Sequence, residues 1–205
     1  MESRQHHRGV LVIFFGLTGS GKSYLAKEWA RRSGCLYFNT DVVRKELAAK
    51  DGRDQGPQGF GQGIYSGQYS LKTYDALRRY AEASFSGAEP ACVVLDGSYQ
   101  QRQQRVLLME QFSGRVAMYF VLCFCNEEVT RTRLRRRMQD STAVSDGTLE
   151  IFCKQRENFE APDEISPHQL LELDTNGSLE NLVEKLDRFL KQVKKSNTTM
   201  SRTGY

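Results

Sequence analysis

The stretch Gly16-Leu17-Thr18-Gly19-Ser20-Gly21-Lys22-Ser23 decides how this chain is read, because it has the spacing G-x-x-x-x-G-K-S and its flanks fit the same geometry. Upstream, Val10–Phe15 is an unbroken apolar run of the kind that forms a strand covered on both faces. Downstream, from Tyr24, apolar positions recur at helical spacing. A strand that enters a helix through a glycine-rich loop aims successive backbone N–H groups and the positive helix end at one spot, which suits a phosphate. Gly16, Thr18, Gly19, Ser20, Gly21 and Tyr24 are therefore expected around the phosphates of a nucleotide. Lys22 is expected at the β- and γ-oxygens and the Ser23 hydroxyl on magnesium, so ATP and Mg2+ are the expected cofactors. The loop does not say whether the γ-phosphoryl group goes to water or to another acceptor.

Working outward, further short apolar runs at Cys35–Phe38, Ala91–Leu95, Val116–Phe124 and Leu170–Leu173 predict four more strands. Helical spacing between and after them predicts helices at Lys22–Arg32, Asp41–Ala49, Leu71–Ser86, Gln100–Gln111, Glu127–Met138, Thr148–Phe159 and Leu179–Lys194. Asp41 and Ser178 are placed as helix N-caps. Alternating strands and helices imply right-handed crossovers and a parallel sheet covered on both sides, a three-layer α/β fold. The 205 residues suit one domain over 10–193, between a polar N-terminal segment, 1–9, and a flexible tail, 194–205. Six glycines and Pro57 crowd Lys50–Gly67, which predicts a flap on the substrate side or a tolerated insertion.

The longest apolar runs are far too short to span a membrane, and no apolar signal segment opens the sequence. Five cysteines, an odd number lying mostly in predicted strands, read as structural thiols of a reducing cytoplasm. The net charge of +4 is mild, and phosphate or nucleic acid would each accept it.

Several side chains bear on the acceptor. Asp41 follows the second predicted strand, and Arg44 shares its face one helical turn later. Asp41 could take the proton of an attacking hydroxyl and Arg44 hold an anionic group, or the two could be a helix cap and its salt partner. Asp96 ends the third predicted strand, where a carboxylate could hold magnesium with Ser23 or merely occupy a turn. Arg102 and Arg105 follow on one helix face, facing either an acidic acceptor or solvent. Arg131, Arg133, Arg135, Arg136 and Arg137 crowd one helix; a lid over a triphosphate would use such charges, with Arg133 stacking on a base and Arg137 clamping transferring oxygens. A nucleic-acid patch is the rival reading. Thr175, in Asp174-Thr175-Asn176-Gly177, either offers backbone contacts to an adenine edge or sits in a plain turn.

Together, the phosphate loop, Asp41-x-x-Arg44, Val93-Val94-Leu95-Asp96-Gly97-Ser98 with Arg105, Arg133-Leu134-x-x-Arg137, and Ser145-Asp146 with Gln155 and Phe159-Glu160-Ala161-Pro162 resemble a known family. It is the P-loop kinase family of zeta-toxin-like, chloramphenicol phosphotransferase-like and gluconate-kinase-like enzymes and the phage polynucleotide kinase domain. The resemblance runs from about Val10 to Val193. It implies a five-stranded parallel sheet in the order 2-3-1-4-5, ATP as donor, magnesium, an Asp base at Asp41 and a closing arginine lid within 127–160. In the polynucleotide kinase the matching arginine contacts the acceptor's phosphate. The sequence departs at the glycine-rich segment and at Gly97-Ser98, where relatives often carry Ala-Thr or Thr-Asn. The reading is thus a kinase for a hydroxyl on a small-molecule acceptor, with a polynucleotide 5′-hydroxyl kinase and a nucleotide-switched ATPase as alternatives.

Overall fold

In the computed structural model, five parallel strands line up in the order β2-β3-β1-β4-β5: β1 (Gly9–Phe15), β2 (Leu36–Asn39), β3 (Ala91–Asp96), β4 (Ala117–Phe124) and β5 (Leu170–Asp174). The structure describes residues 9–53, 61–87, 89, 91–139 and 147–200, and the backbone alone over 194–200. Both the predicted architecture and the predicted strand order are present. Phe14 of β1 stands beside Asp96 of β3, and Asn39 of β2 beside the same aspartate, so three strand ends meet just below the glycine-rich loop.

The continuous apolar character of the strands follows from burial on both faces. Leu11, Ile13 and Phe15 pack on one side against α2 (Thr40–Lys50), α3 (Gly67–Ser84) and α4 (Arg102–Phe112) through residues such as Val43, Leu77 and Phe112. Val12 and Phe14 point the other way, onto α1 (Lys22–Ser33) and α7 (Leu179–Met200) through Leu25, Trp29 and Leu186. The Trp29 indole N–H donates to Asp187 at 2.8 Å and ties those two helices together. The helices α5 (Glu127–Met138) and α6 (Leu149–Glu157) stand at the C-terminal ends of the strands. No helix among the described residues is long and apolar enough to cross a membrane.

Four expectations need correction. The N-cap of α2 is Asn39, whose side chain accepts from the Asp41 and Val42 N–H groups at 2.9 and 3.2 Å, so Asp41 lies inside the first turn. Helix α7 runs on to Met200, so the boundary drawn at Lys194 is early; hydrophobic spacing fades there while helix-compatible residues continue. The described residues of the glycine-rich segment include helix and turn. Helix α2 extends to Lys50, Gly63–Tyr65 forms one 3-10 turn, and Gly67 begins α3, while 54–60 lie outside the described residues.

The fourth correction is chemical: Cys35 and Cys92 form a disulfide, with Cα atoms 4.7 Å apart, rather than standing as separate thiols. The register pairs Leu36 with Val93, so these cysteines are the preceding neighbours on two adjacent strands. Their proximity depends on strand order, which cysteine spacing does not reveal. Cys123, Cys125 and Cys153 are free. Burial pushes the Cys123 thiol up to about 12, which keeps it protonated.

Candidate active site

The loop after β1 takes its shape from positions that exclude side chains. Gly16 has φ +133°, and a Cβ there would sit 2.2 Å from the Cys123 carbonyl oxygen. Gly21, the N-cap of α1, has φ +83°, and a Cβ would meet the Arg133 guanidinium at 2.9 Å. The chain therefore wraps tightly and delivers Lys22 and Ser23 at the opening of α1. Both line a cleft of about 430 Å3 that lies between the loop and α2, α3, α4 and α6. Thr18 lines it too, and its N–H donates to the Gln155 side chain of α6 at 2.8 Å. A second cleft of about 490 Å3, lined by Gly16, Thr18, Ser20, Cys123, Phe152 and Phe159 among others, opens on the far side of the loop.

Asp41 and Arg44 face the first cleft. Arg44 Nη1 donates to Asp41 Oδ1 at 3.1 Å, and the guanidinium lies 4.8 Å from the centre of the Tyr65 ring. Arg44 is 7% exposed, and its Nε has no hydrogen-bond partner among the described residues. The 3-10 turn of the glycine-rich segment thus supplies the aromatic face beneath the arginine. Tyr65 was not foreseen as a site residue.

Asp96 is fully buried at the tip of β3. Its Oδ2 accepts from the Tyr37 hydroxyl and from Asn39 Nδ2, each at 2.6 Å, while Oδ1 is buried without a partner among the described residues. Burial first, and then the Asp96 carboxylate, push the Tyr37 phenol far above its ordinary value and keep it a donor. Tyr37 and Asn39 also went unforeseen. Their spacing of two residues in a strand, which puts both on one face, was the available signal.

The arginines divide by role. Arg133 Nη2 donates to the Thr175 carbonyl at 2.7 Å and Nη1 to Thr175 Oγ1 at 3.0 Å, while Thr175 Oγ1 donates to the Ser20 carbonyl at 2.5 Å. The Thr175 N–H donates to the Phe124 carbonyl at 2.8 Å, so this threonine knots α5, β4 and the loop together and its amide is already committed. Arg137 stands by Gly147, where a Cβ would be 3.1 Å from Arg137 Nη1 and 2.1 Å from Thr18 Oγ1, so the end of α5 lies close to the loop. Arg135 and Arg136 are exposed, and Arg131 pairs with Glu127. Tyr24 is 71% exposed and lines neither cleft.

Arg105 overturns both of its readings. It is fully buried, donates from Nε to Glu164 at 2.5 Å, and also donates to the carbonyls of Tyr99, Glu160 and Ala161 at 2.8, 3.0 and 3.1 Å. It is a strut that fixes the wall of the cleft. Buried Tyr99, between the lining residues Ser98 and Gln100, has a left-handed backbone at φ 39° and donates its N–H to the Tyr74 hydroxyl at 3.1 Å.

Residues 11–162 match a family model described as an AAA domain. No curated protein matches the chain. Among solved structures, a gluconokinase from Sinorhizobium meliloti 1021 superposes with TM-score 0.61 at 17% identity, covering 98% of this chain and 100% of its own. An APS kinase from Mycobacterium tuberculosis, solved with AMPPNP and APS, gives 0.62 at 20% identity, over 90% of this chain and 99% of its own. A sugar kinase from a Janibacter species gives 0.63 at 18% identity, over 89% and 95%. At these identities the likeness is one of fold.

Proposed function

From a chain that belongs to the AAA domain family and carries a P-loop kinase fold, we propose an ATP- and Mg2+-dependent kinase that transfers the γ-phosphoryl group to a hydroxyl of a small-molecule acceptor. The observation that carries this reading is that Asp41 and Arg44 line the same cleft as Lys22 and Ser23. A water-activating switch has no need of a buried arginine aimed into the acceptor space.

The oxygen donors present suit magnesium. Asp96 offers a buried carboxylate oxygen without a partner among the described residues, and Ser23 offers a hydroxyl at a position that lines the cleft. When bound, the ion would screen the phosphate charge. Lys22 and the loop N–H groups hold the donor phosphates. Asp41 receives the acceptor's proton as its oxygen bonds to the γ-phosphorus and the bridging bond to ADP breaks. Arg44, kept in place by Asp41 and Tyr65, orients the acceptor, and Arg137 lies on the loop side, where charge on the transferring group develops.

The test is Asp41→Asn, which keeps the size of the side chain and removes the base. We expect ATP affinity within about twofold of wild type and turnover lower by on the order of 10²-fold, measured with γ-labelled ATP and an acceptor panel. Unchanged turnover, or label found only as free phosphate across the panel, would sink the assignment.

A further inference from the structure

We infer that Gln155 is a positioning residue for the donor phosphates: from α6 it fixes the Leu17–Thr18 peptide, and through that peptide it places the Lys22 ammonium. The inference rests on the proposed role of Lys22 at the β- and γ-oxygens and needs no particular acceptor.

The chain of contacts is short. Gln155 Oε1 accepts the Thr18 N–H at 2.8 Å, between residues 137 apart in sequence. A peptide N–H only donates, so the carboxamide has to turn its oxygen toward the loop. The Leu17 carbonyl belongs to the same planar group, and because no peptide here is cis it points away from the Thr18 N–H. That carbonyl accepts from the Ser20 N–H at 3.2 Å and from Lys22 Nζ at 3.4 Å. One rigid plane is thus gripped at both ends, by α6 at its N–H and by the loop and the lysine at its oxygen. The Leu17 carbonyl is the hydrogen-bond partner of the Lys22 ammonium among the described residues, so a turn of this plane would move the charge that meets the phosphates.

Helix α6 has its own seat. Phe152 is buried, Arg156 Nη1 donates to Glu127 of α5 at 2.8 Å, and the Thr148 hydroxyl caps the Ile151 N–H at 3.3 Å. Ile151, Gln155 and Asn158 line the cleft that holds Lys22 and Ser23, while Phe152 and Arg156 line the second one, so α6 stands as the partition between them. The helix therefore does not need Gln155 to stay in place, and the carboxamide acts on the loop. A neutral amide also grips the N–H without bringing a negative charge to a place suited to phosphate.

The experiment compares full-length wild type, Gln155→Leu, Gln155→Glu and Lys22→Ala. In the nucleotide-free proteins, NMR-detected hydrogen exchange at the Thr18 amide should be about tenfold or more faster in Gln155→Leu than in wild type. The amides of Val12 and Ile13 in β1 and the urea midpoint should not change, which separates a placed peptide from a loosened fold. Gln155→Glu keeps an acceptor oxygen and should keep Thr18 protected. By calorimetry, Kd for MgATP should rise about tenfold in Gln155→Leu. Equal exchange of Thr18 in wild type and Gln155→Leu, loss of its protection in Gln155→Glu, faster exchange throughout β1, or an unchanged Kd would each overturn the inference. Lys22→Ala separates the two readings. If it binds MgATP as tightly as wild type, the donor-site reading falls and this inference with it; if it binds weakly while Gln155→Leu binds normally, this inference falls alone.

Discussion

The two sides of the cleft are built from different materials. On the donor side the shape is backbone: Gly16, Gly19 and Gly21 all have positive φ, and a Cβ at any of them would collide with a neighbour. Thr175 spends its hydroxyl and amide there on the loop and β4, while Ser20 Oγ has no hydrogen-bond partner among the described residues. On the other side the shape is side chain, and buried polar atoms have no partner among the described residues: Arg44 Nε and the Oε1 atoms of Gln100 and Gln104. Backbone N–H groups recognise a phosphate whatever the protein, so that half can be shared widely. Side chains with open valences fit one chemistry, so identity resides in the other half.

Lys22→Ala should break the donor side most severely. We expect transfer to fall by on the order of 10³-fold or more, with acceptor binding measured by calorimetry unaffected; a loss confined to acceptor binding would contradict the division. Next, Glu164→Ala tests whether the acceptor wall is held from beneath. It would strand the Arg105 guanidinium in the core and is expected to lower unfolding stability by about 3 kcal/mol in urea. Burial raises the Glu164 carboxyl, but hydrogen bonding and charge from Arg105 outweigh it and leave it lowered. A carboxyl lowered in the folded state contributes stability above its unfolded value and loses it as the solution acidifies past the folded one. The gap between wild type and Glu164→Ala should accordingly persist from pH 7 to near the ordinary value of 4.5 and narrow below that. Smallest is Thr175→Val, which removes the hydroxyl from Ser20 and Arg133; a stability loss of about 1–2 kcal/mol and weaker ATP binding are expected, with acceptor KM unchanged.

Much of this was legible because it is local. The glycine spacing, the uniformly apolar strands and the order of β- and α-patterns all survive translation into structure within a few residues, since period and steric permission are properties of short segments. That Asp41 and Arg44 share a face could be read because one helical turn separates them. What could not be read depends on neighbours far along the chain. Tyr37 and Asn39 matter through Asp96, Arg105 through Glu164, and Tyr65 through a turn inside a segment whose glycines suggested only looseness. Arg105 is the instructive error: an arginine three residues from another on a polar-looking helix lies wholly in the interior, because four acceptors converge on it.

The bond between Cys35 and Cys92 closes a ring of chain with a sequence separation of 57, and that ring contains Asp41, Arg44, Tyr65 and Tyr74. Hydrolysis of one peptide bond after the exposed Arg53 would therefore not release a fragment. The two pieces, 1–53 and 54–205, would migrate as one species in a denaturing gel until a reductant is added. In the oxidised protein, the residues of α2 and α3 that line the cleft lie in a covalent ring from which one cut frees nothing.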